Sequence, residues 1–151
     1  MERKELVGSG DKIMRLTMPF LIVGLIVNIL RPSLFGVGGP PLILMVISIA
    51  ILIIGITIWI WSAVLILKKV PKKELITNGP FSIFKHPLYT SVALLVLPGL
   101  GLLFNSWLGV LVGIVMYIGS RKFSPKEEKL LSETFGSTWD EYCSNVKIPW
   151  I

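Results

Sequence analysis

The sequence predicts an all-α integral membrane protein with about four transmembrane helices and a short helical tail at the cytoplasmic face. Of its 151 residues, 53% are hydrophobic and only 16% are charged, and the apolar residues fall in long blocks rather than at amphipathic spacing. The basic residues, which give a net charge of +6, flank these blocks. Because that placement is typical of membrane topology signals, it argues against nucleic-acid binding.

The first two apolar blocks cover residues 13–30 and 42–67. The first is just long enough to cross a bilayer. A cleaved signal peptide is the alternative, but a Pro/Gly-rich loop at residues 33–41 follows it in place of a small-residue cleavage pattern. The second block is uncharged, and at about 1.5 Å per residue it exceeds a hydrocarbon core of about 30 Å. We therefore expect it to tilt or protrude.

Two further apolar blocks cover residues 88–104 and 107–120, joined only by Asn105 and Ser106. So short a connection predicts a tight helical hairpin. Small residues recur along both arms and favour close helix packing over a ligand role. They are Gly99, Gly101, Gly109, Gly113 and Gly119.

The distribution of basic residues predicts the orientation of the chain. Lys and Arg precede the first helix, lie between the second and third, and follow the fourth, whereas the opposite face has only Arg31. By the positive-inside rule, both termini and residues 69–86 are expected in the cytoplasm and residues 31–41 on the other side.

From Ser124 onward the chain becomes more polar and predicts two short helices. Ser124 as N-cap, Pro125 at the first helical position and Glu127 as capping-box partner predict a helix start, and Gly136 predicts its end. Thr138 opens the second predicted helix with the same capping-box spacing. In this interpretation, helix capping alone explains why a glutamate stands at position 127, with no role in binding.

The tail is predicted to dock back on the membrane helices. Glu128, Leu131 and Phe135 share one face of the first tail helix at spacings of three and four. That face places a carboxylate beside an apolar patch, and Trp139 and Tyr142 add aromatic surface in the next helix. We expect this patch to cover the cytosolic mouth of the third and fourth helices.

The segment from Asn78 to Tyr89 is the strongest candidate for chemistry. It contains the only histidine, His86, a turn signal at Asn78-Gly79, and two prolines between strongly apolar runs. Its backbone polar groups would be unpaired in hydrocarbon, so it is expected at the membrane face or in a protein-lined cavity. With one His and one Cys in the chain, the sequence offers no cluster typical of a metal site.

An ordered set of motifs extends this segment to the end of the chain. It consists of Gly79-Pro80-Phe81, Lys85-His86-Pro87-Leu88-Tyr89, Arg121, Glu127-Glu128, Phe135-Gly136, Trp139, Tyr142 and Pro149. Over about residues 74–150 the set resembles the isoprenylcysteine carboxyl methyltransferase and phospholipid N-methyltransferase superfamily. The chain departs from the usual pattern at Lys85, where arginine is commoner, at Phe81, where tyrosine is commoner, and at Thr90-Ser91, where a glycine often follows the tyrosine.

The resemblance implies a pocket for S-adenosyl-L-methionine. Its cofactor-binding candidates are Gly79, Lys85, His86, Pro87, Tyr89, Glu127 and Glu128, and its catalytic candidates are Arg121 and Glu128. Some of these residues have simpler explanations, since Tyr89 fits an interfacial tyrosine and Arg121 a membrane-edge anchor. Glu128 has no such explanation and is the stronger acidic candidate.

The expected reaction is methylation of a lipid or a prenylated small molecule or peptide at the cytosolic face, with an isoprenylcysteine-type carboxylate favoured and a phospholipid amine as the alternative. Transfer from a sulfonium depends mainly on positioning and exclusion of water. A carboxylate acceptor needs no general base, whereas a protonated amine needs one, and the candidates are Glu127, Glu128 and His86.

The sequence leaves two other classes of function open. A sterol-reductase-like protein that uses NADPH shares a similar C-terminal motif set, but the chain has no Gly-x-Gly-x-x-Gly motif. A non-enzymatic membrane protein with the same fold is the third interpretation, because a fold alone does not establish activity.

Overall fold

A computed structural model describes residues 8–39 and 41–149, and four long helices and one short helix account for most of them. The elements are α1 (Gly8–Leu30), α2 (Pro41–Lys69), α3 (Pro87–Leu103), α4 (Leu108–Phe135) and α5 (Ser137–Asn145). Short 3₁₀ turns lie at Pro32–Leu34, Val70–Lys72 and Gly79–Ser82. Within the described ranges no β-strand forms, so the predicted all-α class is confirmed.

Two of the helical segments are long and apolar enough to cross a membrane, Ser9–Leu30 and Pro41–Lys72. Most of their surface is exposed, and Leu30 and Leu67 are 72% and 75% accessible. So much exposed apolar surface fits contact with lipid better than contact with water. Helix α3 is shorter than these two segments, so the number of four membrane crossings stays a prediction.

The helices pack in the spatial order α2, α3, α4, α1, and glycines bring α3 and α4 into close contact. A Cβ added to Gly101 would lie 2.7 Å from the Cα of Gly109, and one on Gly113 would collide with the carbonyl of Ala93. The predicted helical hairpin and the packing role of these glycines are therefore confirmed. A π-helical turn, Val92–Val96, interrupts α3 where it faces α2.

The two short loops meet at one end of the bundle, which we call the closed end (residues 31–39 and 104–107). The Trp107 N–H donates to the Phe35 carbonyl at 2.8 Å, and the Ser106 hydroxyl donates to Asn28 Oδ1 at 3.1 Å. The opposite end, which we call the site end, contains four segments. They are the amino end of α1, residues 70–86, the last turns of α4, and the whole of α5.

The predicted helix start at Ser124 is wrong. Helix α4 runs without a break from Leu108 to Phe135, with Pro125 inside it and Ser124 buried at 4% exposure. Packing along α1 extends α4 through the local start signal and offsets the backbone hydrogen bond that Pro125 removes from the helix. Glu127 is consequently not a capping residue. Gly136 does end the helix, with a positive φ of 53°, as predicted.

The tail docks, but on the segment before His86 rather than on the mouth of the third and fourth helices as predicted. Trp139, Tyr142 and Val146 form a buried cluster, on which Leu131 and Phe135 of α4 pack. Leu75 and Cys143 complete its surroundings. The second predicted tail helix also forms, although it begins at Ser137 with Gly136 in the N-cap position rather than at Thr138.

Candidate functional site

The His-Pro segment delivers two side chains to α4. Pro87 is the first residue of α3, where its fixed φ and missing N–H are well tolerated, and the Thr90 N–H donates to the His86 carbonyl at 3.1 Å. His86 occupies the N-cap position without a side-chain capping bond. Its imidazole and the adjacent Lys85 reach across to Glu128 instead.

Glu128 is held by two partners. Lys85 Nζ lies 3.1 Å from Oε2 and His86 Nε2 lies 3.0 Å from Oε1. The hydrogen bond from His86, followed by the bond and charge of Lys85, lowers the pKa of Glu128 below its usual value. Glu128 is therefore a stable anion that can anchor positively charged or hydroxyl groups.

Glu127 has a different environment one residue earlier. Its side chain is 13% exposed, with His86 Nδ1 3.9 Å from Oε2 and the Tyr89 hydroxyl 3.5 Å from Oε1. Burial raises the pKa of Glu127, while hydrogen bonds from Ser9 and the charge of His86 act in the opposite direction. Two neighbouring carboxylates with pKa values shifted apart are typical of sites that move protons.

Two cavities flank this group of side chains, and Lys85 and His86 border both. The apolar cavity, of about 150 Å³, also borders Tyr89 and Glu127. Its apolar walls include Ile66, Leu75, Phe81, Leu130, Leu131 and Phe135. The polar cavity, of about 360 Å³, lies on the other side and is lined by Ser120, Arg121, Ser124, Pro125, Glu128 and Pro149.

The tail closes over the apolar cavity through hydrogen bonds to the segment before His86. The Tyr142 hydroxyl donates to the Phe81 carbonyl at 2.8 Å, and the Ile148 N–H donates to the Ile83 carbonyl at 2.9 Å. Burial raises the pKa of Tyr142, so its hydroxyl remains a neutral donor. The tail thereby fixes the loop that carries Lys85 and His86.

Most of the residues predicted from the sequence come together at the site end. Lys85, His86, Tyr89, Glu127 and Glu128 form one connected group, with Pro87 beneath it and Arg121 on the wall of the polar cavity.

Gly79 does not join this group. It has a φ of 62°, and a Cβ there would lie 3.0 Å from the Trp61 indole. Its position is thus explained by a turn packed against α2.

Sequence reasoning missed Ser9 and Ser124. Ser9 is 5% exposed and its hydrogen bonding lowers the pKa of Glu127, yet it lies in an N-terminal stretch that shows only a polar composition. The Ser-Gly-Asp sequence before the first apolar block was the available signal, since such residues favour helix starts. The Ser124 hydroxyl is buried beside the polar cavity and has no hydrogen-bond partner among the described residues.

With this geometry in place, comparison with known proteins identifies the family. The profile of the phospholipid methyltransferase family matches residues 36–138. The chain belongs to this family. The match includes Lys85, His86, Glu127 and Glu128 and excludes α1, and neither a curated protein nor a solved structure matches the chain.

Family membership confirms the resemblance derived from the motifs and makes the protein a membrane methyltransferase that acts on lipids. Methyltransferases of this type generally use S-adenosyl-L-methionine.

Proposed function

We propose that the protein transfers a methyl group from S-adenosyl-L-methionine to a lipid, with the cofactor in the polar cavity and the apolar part of the lipid in the apolar cavity. The observation that carries this proposal is the group of Lys85, His86, Glu127 and Glu128, because it stands between a polar and an apolar cavity. A water-soluble cofactor and a membrane-embedded acceptor require such a boundary.

The side chains around the polar cavity fit the charges of the cofactor. S-adenosyl-L-methionine carries an ammonium, a carboxylate and two ribose hydroxyls. Glu128 is suited to the ammonium or the hydroxyls, and Arg121 and Lys85 are suited to the carboxylate. The buried Ser124 hydroxyl, which has no partner among the described residues, supplies a further polar contact.

The chemistry supplied by the cofactor is an electrophilic methyl group on sulfur. The protein contributes by orienting the acceptor and excluding water. Our preferred acceptor is a carboxylate of the isoprenylcysteine type, since it needs no base and one of the two cations, Arg121 or Lys85, can bind it while the other holds the carboxylate of the cofactor. The prenyl chain would then lie among the apolar walls formed by α2 and α4.

A phospholipid amine is the second candidate acceptor, and the environment of Glu127 favours it. A protonated amine must lose its proton before it can attack the methyl group. Burial raises the pKa of Glu127, which makes it a better proton acceptor than an exposed glutamate. In this version Glu127 would accept the proton of the ammonium, and the neutral amine nitrogen would take the methyl group as the carbon–sulfur bond breaks and S-adenosylhomocysteine leaves.

We further propose that the chain crosses the membrane four times with the site end and both termini in the cytoplasm. The separation of the closed end from the site end supports this topology, as does the excess of Lys and Arg at the site end. Single cysteines at the exposed positions Ser33 and Lys72, on a Cys143→Ser background, test it. Labelling of both positions from the same side of the membrane would contradict the topology.

Methyl transfer is tested by incubating the purified protein with lipid extracts and S-adenosyl-L-methionine carrying an isotopically labelled methyl group. Mass spectrometry is expected to find labelled lipid, and release of the label by mild base separates a methyl ester from a methylated amine. If the extracts stay unlabelled and NADPH rather than S-adenosylhomocysteine raises the melting temperature, the reductase interpretation is the better one.

A further inference from the structure

We propose that Ser9, at the amino end of α1, is a positioning residue that holds the Glu127 carboxylate toward His86 and Tyr89. Helix α1 lies outside the part of the chain that matches the family, so this chain supplies one wall of its site from its own N-terminal helix. The assignment of Glu127 to a methyltransferase site rests on the proposed function, whereas the contact between Ser9 and Glu127 does not.

The contacts of Ser9 are buried and specific. Hydrogen bonding by the hydroxyl and the backbone N–H of Ser9 acts to lower the pKa of Glu127. The Ser9 hydroxyl also lies 3.3 Å from the Phe123 carbonyl of α4. Ser9 is therefore inserted between a carboxylate and a carbonyl of the same helix.

The next residue of α1 contacts the other neighbour of Glu127. A Cβ added to Gly10 would lie 3.3 Å from the Tyr89 hydroxyl, so this hydroxyl sits directly over the helix backbone. The amino end of α1 thus touches both Glu127 and Tyr89, which face each other at 3.5 Å.

Helix geometry explains why this end of α1 suits a carboxylate. The first backbone N–H groups of a helix have no partner within the helix, and the helix dipole favours negative charge at this end. The Ser9 N–H lies in the first described turn of α1, and its hydrogen bonding lowers the pKa of Glu127. The contact satisfies a backbone donor and a buried anion together.

Packing further along α1 fixes the position of Ser9. Ile13 is 1% exposed, one turn after Ser9. A Cβ on Gly119 of α4 would lie 3.0 Å from Leu16. Because α1 and α4 cannot slide past each other at this contact, the distance between Ser9 and Glu127 is set by the fold.

The Ser9 hydroxyl responds to the charge of Glu127. It has one proton, which it can donate either to the ionised carboxylate or to the Phe123 carbonyl. When Glu127 accepts a proton, the carboxyl O–H becomes the donor to Ser9 and the hydroxyl proton turns to Phe123. Ser9 therefore supports both protonation states, and it stabilises the anion more strongly because bonds to charged groups are stronger.

Removal of the Ser9 hydroxyl is thus expected to make Glu127 titrate at higher pH. The other titratable groups around Glu127 remain in place in such a variant. They are Asp11 on α1, His86 just before α3, Tyr89 on α3, Glu128 on α4, and Lys73 and Glu74 across the apolar cavity.

The test is an infrared pH titration of the Glu127 carboxyl in the purified full-length protein, assigned by the band that is lost in Glu127→Gln. In Ser9→Ala the midpoint is expected about one pH unit above wild type, the size expected for one lost hydrogen bond to a carboxylate. Ser9→Thr keeps the hydroxyl and is expected to keep the wild-type midpoint. Ser9→Cys donates weakly and is expected to shift the midpoint upward by less than alanine does.

Thr17→Ala is the matched control, because Thr17 has a buried hydroxyl on the same helix and, among the described residues, this hydroxyl bonds only to the Ile13 carbonyl, at 2.8 Å. It is expected to leave the Glu127 midpoint unchanged. An unchanged midpoint in both Ser9→Ala and Ser9→Cys overturns the proposal, even if methyl transfer falls. The titration does not depend on turnover. If the wild-type protein has no methyltransferase activity, the proposed function is refuted, but the titration still decides the role of Ser9.

Discussion

The two ends of the helical bundle satisfy their polar groups in different ways. At the closed end uncharged groups pair with one another, such as the Ser106 hydroxyl with Asn28 at 3.1 Å. At the site end Glu127 and Glu128 gather charged and titratable partners beside two cavities, and the buried Ser124 hydroxyl lacks a partner among the described residues. The closed end therefore fixes the helices, and the site end keeps polar groups available for a ligand.

The largest effect is expected in the helix contact next to the closed end, for Gly109→Ala. The added Cβ would collide with the Leu97 carbonyl and the backbone of Gly101. Because backbone atoms cannot move aside cheaply, we expect the free energy of unfolding to fall by about 3 kcal/mol. A melting curve of the purified protein measures this loss.

Gly36→Ala is the control at the same end, since the nearest atom to its Cβ would be the Ser33 carbonyl oxygen at an ordinary 3.7 Å. Its melting temperature is expected to match wild type. Equal melting temperatures for the two alanine variants would show that the glycine contact between α3 and α4 does not hold this end together.

At the site end the largest effect is expected for Glu128→Gln, which removes the charge that Lys85 and His86 share. We expect a loss of stability of about 2 kcal/mol at neutral pH, the size of a charge-assisted hydrogen bond. The pKa of Glu128 is lowered in the folded state, so its contribution is present above the usual glutamate pKa and is lost as the pH falls through the folded value. The difference from wild type should therefore shrink in acid, which melting curves across pH would reveal.

Glu127→Gln is the matched comparison and is expected to behave in the opposite way. The pKa of Glu127 is raised by burial, so its ionisation lowers stability as the pH rises through the folded value. At neutral pH this variant should be at least as stable as wild type. A loss as large as that of Glu128→Gln would contradict the distinction between the two carboxylates.

A smaller effect is expected for Tyr142→Phe, which removes the hydrogen bond from the tail to the Phe81 carbonyl. We expect a loss of about 1 kcal/mol, the net value of one such bond. Limited proteolysis of the tail, followed by mass spectrometry, should detect faster cleavage. Ser144→Ala is the control on the same helix, because within the described part of the chain its hydroxyl bonds only to the Glu141 carbonyl, at 2.7 Å in an exposed turn. Equal cleavage of both variants would contradict the docking role of Tyr142.

The sequence predicted those features of the molecule that depend on local signals and on short connections. Two residues between apolar blocks force a hairpin, so Asn105 and Ser106 were sufficient to predict the pairing of α3 and α4. The site group was predicted through the family resemblance, whose motif residues Lys85, His86 and Glu128 lie near the two ends of that hairpin.

Long-range packing explains what the sequence did not predict. The capping pattern at Ser124 is a strong local start signal, yet α4 continues through it because its face is buried against α1. Ser9 is 118 positions before Glu127 in the chain and enters the site through that same packing. The misplaced helix start led to the assignment of Glu127 as a capping residue, whereas the structure places it among titratable partners.

The central claim, that the site end binds the cofactor, is tested most directly by calorimetric titration with S-adenosylhomocysteine. Three proteins are compared: wild type, Glu128→Gln at the site end, and Asn28→Ala at the closed end. We expect Glu128→Gln to bind at least about ten-fold more weakly, since it loses a charge-assisted contact, and Asn28→Ala to bind like wild type. Binding of wild-type strength in Glu128→Gln, or an equal loss in Asn28→Ala, would contradict the claim.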